Sequence, residues 1–157
     1  SVFAELPRSL ERAGPGAGPK QGAITSLFTV LVDGDDHNEP IADAVRGILD
    51  GHIVLTRELA AHNHYPAIDI LNSVSRLMID VVTKEHQEFS MKFKDFLATY
   101  KSAEDLINIG AYTKGSNPKI DMAIQKYDQM IPYLRQGMFE NFDWRASLDE
   151  LKRIMEA

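Results

Sequence analysis

Cysteine is absent from all 157 residues, which excludes a disulfide framework and any thiolate metal site. Long hydrophobic runs are missing too. The longest, such as Leu27-Phe28-Thr29-Val30-Leu31-Val32, fall far short of the roughly 20 residues a membrane span needs. The chain opens Ser1-Val2-Phe3-Ala4-Glu5 without a basic region or an apolar core, so no signal peptide is read there. It also lacks an initiator Met, as expected of a processed or excised piece. Positive charge is in deficit, with 17 Lys and Arg against 23 Asp and Glu and a net charge of -6. Nothing global therefore draws the chain to nucleic acid or to anionic membranes. What remains is 44% hydrophobic and 25% charged, the balance of a folded soluble protein of one ordinary domain or two small ones. A cytoplasmic location is compatible with these features.

The first segment, Ser1 to Ala13, reads as a helix with Leu6, Leu10 and Ala13 on one face. Pro7 predicts that regular helix begins near that residue. Gly14 to Gly22 holds four glycines and two prolines in nine residues, the composition of a mobile surface loop. It lacks the Gly-Lys-Ser/Thr ending of a phosphate loop. Ala23 to Val32 is apolar almost throughout and rich in β-branched residues, which predicts a strand buried on both faces. It runs into an acidic loop, Asp33 to Glu39. Pro40 then opens a helix with Ile41, Ala44, Val45, Ile48 and Leu49 on one face, ended by Gly51. His52 to Thr56 reads as a second strand, giving a βαβ order. A helical turn over Arg57 to Asn63 and an extended stretch from Tyr65 to Asp69 follow.

From about Ile79 onward only helices are predicted. Phe89, Phe93, Phe96/Leu97, Tyr100, Ala103 and Leu106/Ile107 form an amphipathic stripe that Gly110 breaks. Asn117-Pro118 reads as cap and first residue of the next helix, which Pro132 should kink. Ser147-Leu148-Asp149-Glu150 has the spacing of a capping box opening a last helix. The expected fold class is α/β, then all-α. Two strands make a poor parallel sheet, so neighbouring strands are expected to precede Ser1; a small two-stranded α+β domain is the alternative.

Few residue patterns point to chemistry unaided. His62, His64 and Asp69 have loosely metal-like spacing, with His37 and His52 elsewhere, but no full ligand set closes and no metal is expected. Glu104-Asp105 falls in a helix and reads as surface charge rather than an acid/base pair. Thr25, Ser73 and Ser75 lack a His partner in a nucleophile arrangement.

Several stretches together carry a family resemblance: Gly22-Ala23-Ile24-Thr25, Val32-Asp33-Gly34-Asp35-Asp36-His37-Asn38-Glu39-Pro40-Ile41, Leu49-Asp50-Gly51-His52-Ile53-Val54-Leu55, His64-Tyr65-Pro66-Ala67-Ile68-Asp69, Ser73-Val74-Ser75-Arg76, and Glu104-Asp105-Leu106-Ile107-Asn108-Ile109-Gly110-Ala111-Tyr112. Over essentially its whole length the chain resembles the carboxyl-terminal part of the bacterial flagellar protein-export ATPases. These are type III secretion ATPases related to the catalytic subunits of rotary ATP synthases. The resemblance implies the last part of a RecA-like P-loop ATPase domain, truncated over residues 1–80, then a small helical-bundle domain over 81–157. The family's Walker A motif is not in this sequence.

The resemblance further implies a homo-hexameric, ATP-hydrolysing parent that energises protein export and uses ATP/ADP with Mg²⁺. The phosphate and Mg²⁺ ligands would lie outside this chain, and the chain alone is expected to be inactive. Arg76 would be the arginine finger reaching into a neighbouring subunit's site, since a guanidinium stabilises charge on a transferring phosphoryl group. Tyr65 would pack against adenine. In the helical domain Met138, Phe139 and Phe142 are candidates for the other side of the adenine pocket. The acidic loop would face a stalk-like partner; a solvated turn is the other reading. Implied partners are stalk-like and regulatory export proteins, the export gate, export chaperones and substrates, with no nucleic acid and at most peripheral membrane association. The alternatives are the ATPase of a virulence type III secretion system and a non-catalytic adaptor module.

Overall fold

The computed structural model describes residues 2–18, 21–32, 34 and 39–156. Two compact units are distinguished, Ser1–His52 and Ile53–Ala157. In the first, α1 (Val2–Leu10) lies against α2 (Pro40–Ile48). Among the described residues its buried apolar side chains are Leu10, Ala42 and Val45. Pro7 does not delay α1, which passes through it: the missing proline N–H removes one internal bond, while the Glu11 N–H still reaches the Pro7 carbonyl at 2.8 Å. α2 begins at Pro40 as expected. Its inward face includes Ala42, and Ile48 is exposed.

The glycine-rich segment is partly ordered by pairing. β1 (Gly14–Pro15) and β2 (Ala23–Ile24) form a short antiparallel ladder, with Gly14 opposite Ile24 and Pro15 opposite Ala23. The long buried strand expected over Ala23 to Val32 is not present. Only its first two residues are strand, and Leu27 and Leu31 are 95% and 87% exposed. Side-chain propensity alone does not make a strand. The backbone N–H and C=O groups need a neighbouring ladder, and among the described residues none lies beside 25–32. The acidic loop expected at Asp33 to Glu39 lies outside the described residues except for Gly34 and Glu39.

β3 (Gly51–Leu55) and β4 (Ile68–Ser75) pair in a second two-stranded sheet. Between them Thr56 caps the short α3 (Arg57–Ala61), its hydroxyl accepting from the Leu59 N–H at 3.3 Å. β4 extends well beyond the stretch read as extended, and local polar bonds account for the difference. Asp69 Oδ1 accepts from the Leu71 and Asn72 N–H groups at 3.0 and 3.1 Å, turning the backbone within the strand. The Ser73 hydroxyl donates to the Asp69 carbonyl at 2.6 Å and accepts from the Val54 N–H at 2.9 Å, so it replaces a ladder bond. Strand periodicity is blurred where polar side chains take over backbone bonding.

Helices follow, as expected: the one-turn α4 (Met78–Val81), then α5 (Lys84–Asn108), α6 (Pro118–Leu134) and α7 (Trp144–Glu156). Thr83 caps α5 through the His86 N–H, and Gly110 ends that region at a φ of 70°. Asn117 caps α6, accepting from the Lys119 and Ile120 N–H groups at 3.0 and 3.4 Å, with Pro118 at the first helical position. Pro132 sits in the final turn of α6, which ends two residues later.

The capping box expected at Ser147 is overturned. α7 starts at Trp144, and Asp143 supplies the cap, its Oδ1 accepting from the Ala146 N–H at 2.8 Å. Ser147 is already inside the helix, and its hydroxyl donates back to the Asp143 carbonyl at 3.0 Å.

α5 packs against α6 and α7 around Phe89, Phe93, Leu97, Met130, Leu151, Ile154 and Met155. Met130 and Ile154 have no solvent exposure. Lys126, itself buried, donates its ammonium to the Ile154 carbonyl at 2.7 Å. That carbonyl is one of the last four of α7, which no intrahelical N–H can satisfy.

This packing predicts a contrast. Met130→Ala should lower the unfolding free energy by about 2–5 kcal/mol, the range for emptying a buried site. Leu27→Ala should change it by less than about 0.5 kcal/mol, as at an open surface position. Urea unfolding followed by helical circular dichroism measures both. Equal losses would contradict the placement of the core.

Candidate nucleotide-base site

The turn after α3 sets the geometry. The His62 N–H bonds back to the Glu58 carbonyl, and the Asn63 N–H to Ala60. Asn63 has a φ of 53°, a left-handed conformation that asparagine tolerates better than most residues. The His64 N–H then reaches the Leu59 carbonyl at 2.9 Å, which buries the imidazole and swings Tyr65 outward. The Tyr65-Pro66 peptide is cis. The Tyr65 side chain is 55% exposed, so its ring presents a face.

The segment after α6 meets this turn. The Gln136 N–H donates to the Tyr65 carbonyl at 2.9 Å. Beyond it a small loop closes on itself. The Gly137 N–H donates to Glu140 Oε2 at 2.7 Å, and the Gln136 side-chain amide donates to the Glu140 carbonyl at 2.8 Å. Tyr65, Asn63, Arg135, Gln136, Gly137 and Phe142 line an open cavity of about 630 Å³, a size suited to a small ligand. Phe142 is 61% exposed and supplies a second aromatic surface. Met138 and Phe139 lie on the same segment, 90% and 97% exposed, and are not among the lining residues.

Arg76 lies elsewhere. It directly follows Ser75, the last residue of β4, and is exposed. Arg76 is not among the residues that line the Tyr65 cavity.

The resemblance pointed to the segment from Tyr133 to Phe139, which includes Arg135 and Gln136, but sequence reasoning missed Asn63 and Glu140 as parts of this site. Gly137 was the available signal: a Cβ there would meet Glu140 Cδ at 3.3 Å, so the loop leaves little room for a larger residue. Among the described residues no three His, Asp or Glu groups come together to hold a metal. No described helix is long and apolar enough to cross a membrane.

A second cavity of about 650 Å³ lies between the α3–β4 segment and helices α5 and α6. His64 lines it and is 4% exposed. Burial, then the nearby positive charges of Arg135 and Lys101, hold the imidazole below its ordinary pKa of 6.5. Lys101 is shifted the other way. Burial opposes its charge, but the hydrogen bond from its ammonium to Glu104 at 2.8 Å and that carboxylate's charge outweigh it.

Residues 1–75 match the model of the ATP synthase alpha/beta family nucleotide-binding domain. Residues 82–153 match the T3SS EscN ATPase C-terminal domain. A flagellum-specific ATP synthase of Bacillus subtilis is 57% identical over 140 residues, covering 89% of this chain and 31% of that protein. Over almost its whole length the chain thus matches the carboxyl-terminal part of flagellar and type III secretion ATPases. Its fold agrees. The assembled ATPase EscN from the type III secretion system of enteropathogenic E. coli superposes with a TM-score of 0.93 at 46% identity. The superposition covers 98% of this chain and 37% of EscN. EscN in complex with its central stalk EscO superposes at a TM-score of 0.86, also at 46% identity, over 98% of this chain and 36% of that one. This chain thus spans about a third of the length of the relatives it matches. The expected fold class is borne out: the last part of an ATPase nucleotide-binding domain followed by a helical domain.

The buried histidine gives a pH prediction. Its folded-state pKa is depressed, so the unfolded chain binds more protons as pH falls through the unfolded value of 6.5. The stabilisation is full above that value and is lost as pH falls below it. His64→Gln should flatten the stability profile over that window. An unchanged slope in urea midpoints between about pH 7.5 and 5 would contradict the neutral, buried assignment.

Proposed function

We propose that this chain contributes parts of two different ATP sites to a homo-hexameric motor that energises flagellar protein export. The absence of Arg76 from the lining of the Tyr65 cavity is the observation that carries this reading. Tyr65 precedes β4 and Arg76 follows it, and the cavity beside Tyr65 is lined without Arg76, as expected if the two attend different nucleotides. Tyr65 then stacks on the adenine of its own subunit's nucleotide, and Phe142 supplies a second ring across the cavity, with Met138 and Phe139 on the same segment. Aromatic rings suit a base because every base has a π-face. Arg76 acts in trans on the γ-phosphoryl group bound by a neighbour, where its guanidinium stabilises the charge spread over the transferring group.

The residues present fit the base end of ATP/ADP only. No Gly-x-x-x-x-Gly-Lys-Ser/Thr segment occurs in the sequence, so the β- and γ-phosphates and Mg²⁺ are held by other parts of the parent. We place the domain boundary near residue 80, between the two family matches. The helical domain then faces export chaperones, substrates and the export gate. The solved complex of EscN with its stalk supports a stalk-like partner for this family member too. The same likeness to EscN favours a second reading, the ATPase of a virulence secretion system, with the same residue roles.

The two residues should fail differently in the full-length protein. Arg76→Ala should lower kcat by about 10³-fold or more while nucleotide binding stays within a few-fold. Tyr65→Ser should weaken nucleotide binding by roughly 10- to 100-fold, the worth of one base–aromatic stack, with a smaller effect on kcat. Steady-state kinetics with equilibrium nucleotide titrations separate these patterns. The same loss for both variants would overturn the division of roles.

A further inference from the structure

We infer that the cavity floored by His64 is a binding site for a small oxyanion, a phosphate or carboxylate group on a soluble molecule. It is separate in its lining from the Tyr65 cavity, sharing only Arg135. Three observations converge there. The first is an unpartnered buried atom. His64 is 4% exposed, and its Nε2 has no hydrogen-bond partner among the described residues. A buried polar nitrogen left unmet costs free energy, so an occupant that meets it is favoured.

The second is the charge around that atom. The ionic groups that act on His64 are Arg135 and Lys101, both cations and both lining the cavity. A cationic ligand on the imidazole would stand against two positive charges. An anion would accept from Nε2–H in the corresponding neutral tautomer and take the Arg135 guanidinium, which unlike Lys101 has no carboxylate partner among the described residues, in its bidentate geometry.

The third is the state of the carboxylates. Glu104 is already paired with Lys101 at 2.8 Å. Asp69 is occupied by the Leu71 and Asn72 N–H groups and by the Asn72 amide at 2.7 Å. Glu58 and Asp105 are exposed. The Arg135 guanidinium, in contrast, makes no ion pair among the described residues. Lys101 and Arg135 are exposed as well, and Lys101 is paired, so the unmatched donors are the buried His64 Nε2–H and the Arg135 guanidinium. Ile68, Ile70 and Leu97 supply apolar wall for the remainder of such a ligand.

The test uses the 157-residue chain and the His64 Cε1–H NMR resonance at about pH 7.5, where the free imidazole is neutral. Inorganic phosphate and succinate are titrated separately at constant ionic strength. A saturable shift with phosphate alone assigns a phosphate group, one with succinate alone a carboxylate, and one with both an oxyanion of either kind. Arg135→Gln should weaken the binding at least about tenfold. Bound anion should also raise the pH midpoint of His64. The titratable and charged groups facing it are Tyr127 of α6 and Arg135 at its end, Lys101, Glu104 and Asp105 of α5, Asp69 of β4, and Glu58 and His62 of the α3 segment. His64→Gln, checked for an unchanged far-ultraviolet spectrum, should abolish the Arg135-dependent heat of phosphate binding in calorimetry. Linear, non-saturating shifts with both anions would overturn the inference. So would saturation that Arg135→Gln leaves intact.

Discussion

Met130 of α6 and Ile154 of α7 touch no solvent, and the ammonium of Lys126 crosses from one helix to the Ile154 carbonyl of the other. Apolar contact and one buried polar bond thus fix the same pair of helices. Burying a lysine is tolerable because its ammonium finds a carbonyl that the helix end leaves unmet. With α6 held in this way, its last turn has a defined position. Arg135 follows as its extended cap residue, and the Gln136 N–H meets the Tyr65 carbonyl. The exposed tyrosine ring is therefore oriented by a core that it does not itself join.

The same unit holds both residues for which separate roles are proposed. The Asn63–Pro66 turn and Arg76 are joined by β4, whose polar bonds at Asp69 and Ser73 fix its bend. The strand is tied at Val54 and packs against α5. Lys94 of α5 adds a bond to the Ser73 carbonyl at 3.4 Å near the far end. On the proposed reading, base contact and charge stabilisation are directed to different nucleotides from the two sides of this one element.

The helices were legible because their signals are local. Asn117-Pro118 and the stripe of Phe89, Phe93 and Leu97 act within a few residues of themselves. Ser147 misled for the same reason, since Asp143, four residues earlier, competes for the cap and wins. The run from Leu27 to Val32 has strand chemistry, but a strand is a property of two chains of backbone, and composition reports only one. Tyr65 and Arg76 were reached through family motifs rather than through spacing. No pattern of five histidines tells which imidazole will be buried; His64 becomes distinctive only when the turn from Leu59 folds it inward.

The central claim is that adenine lies on Tyr65, between the turn after α3 and the segment after α6. Photolabelling the full-length protein with ADP carrying an azide on the base, followed by peptide mass spectrometry, addresses it directly. The account predicts covalent attachment at Tyr65 or within residues 135–142, suppressed by excess unlabelled ADP. Suppressible label confined to residues outside those two segments would contradict it.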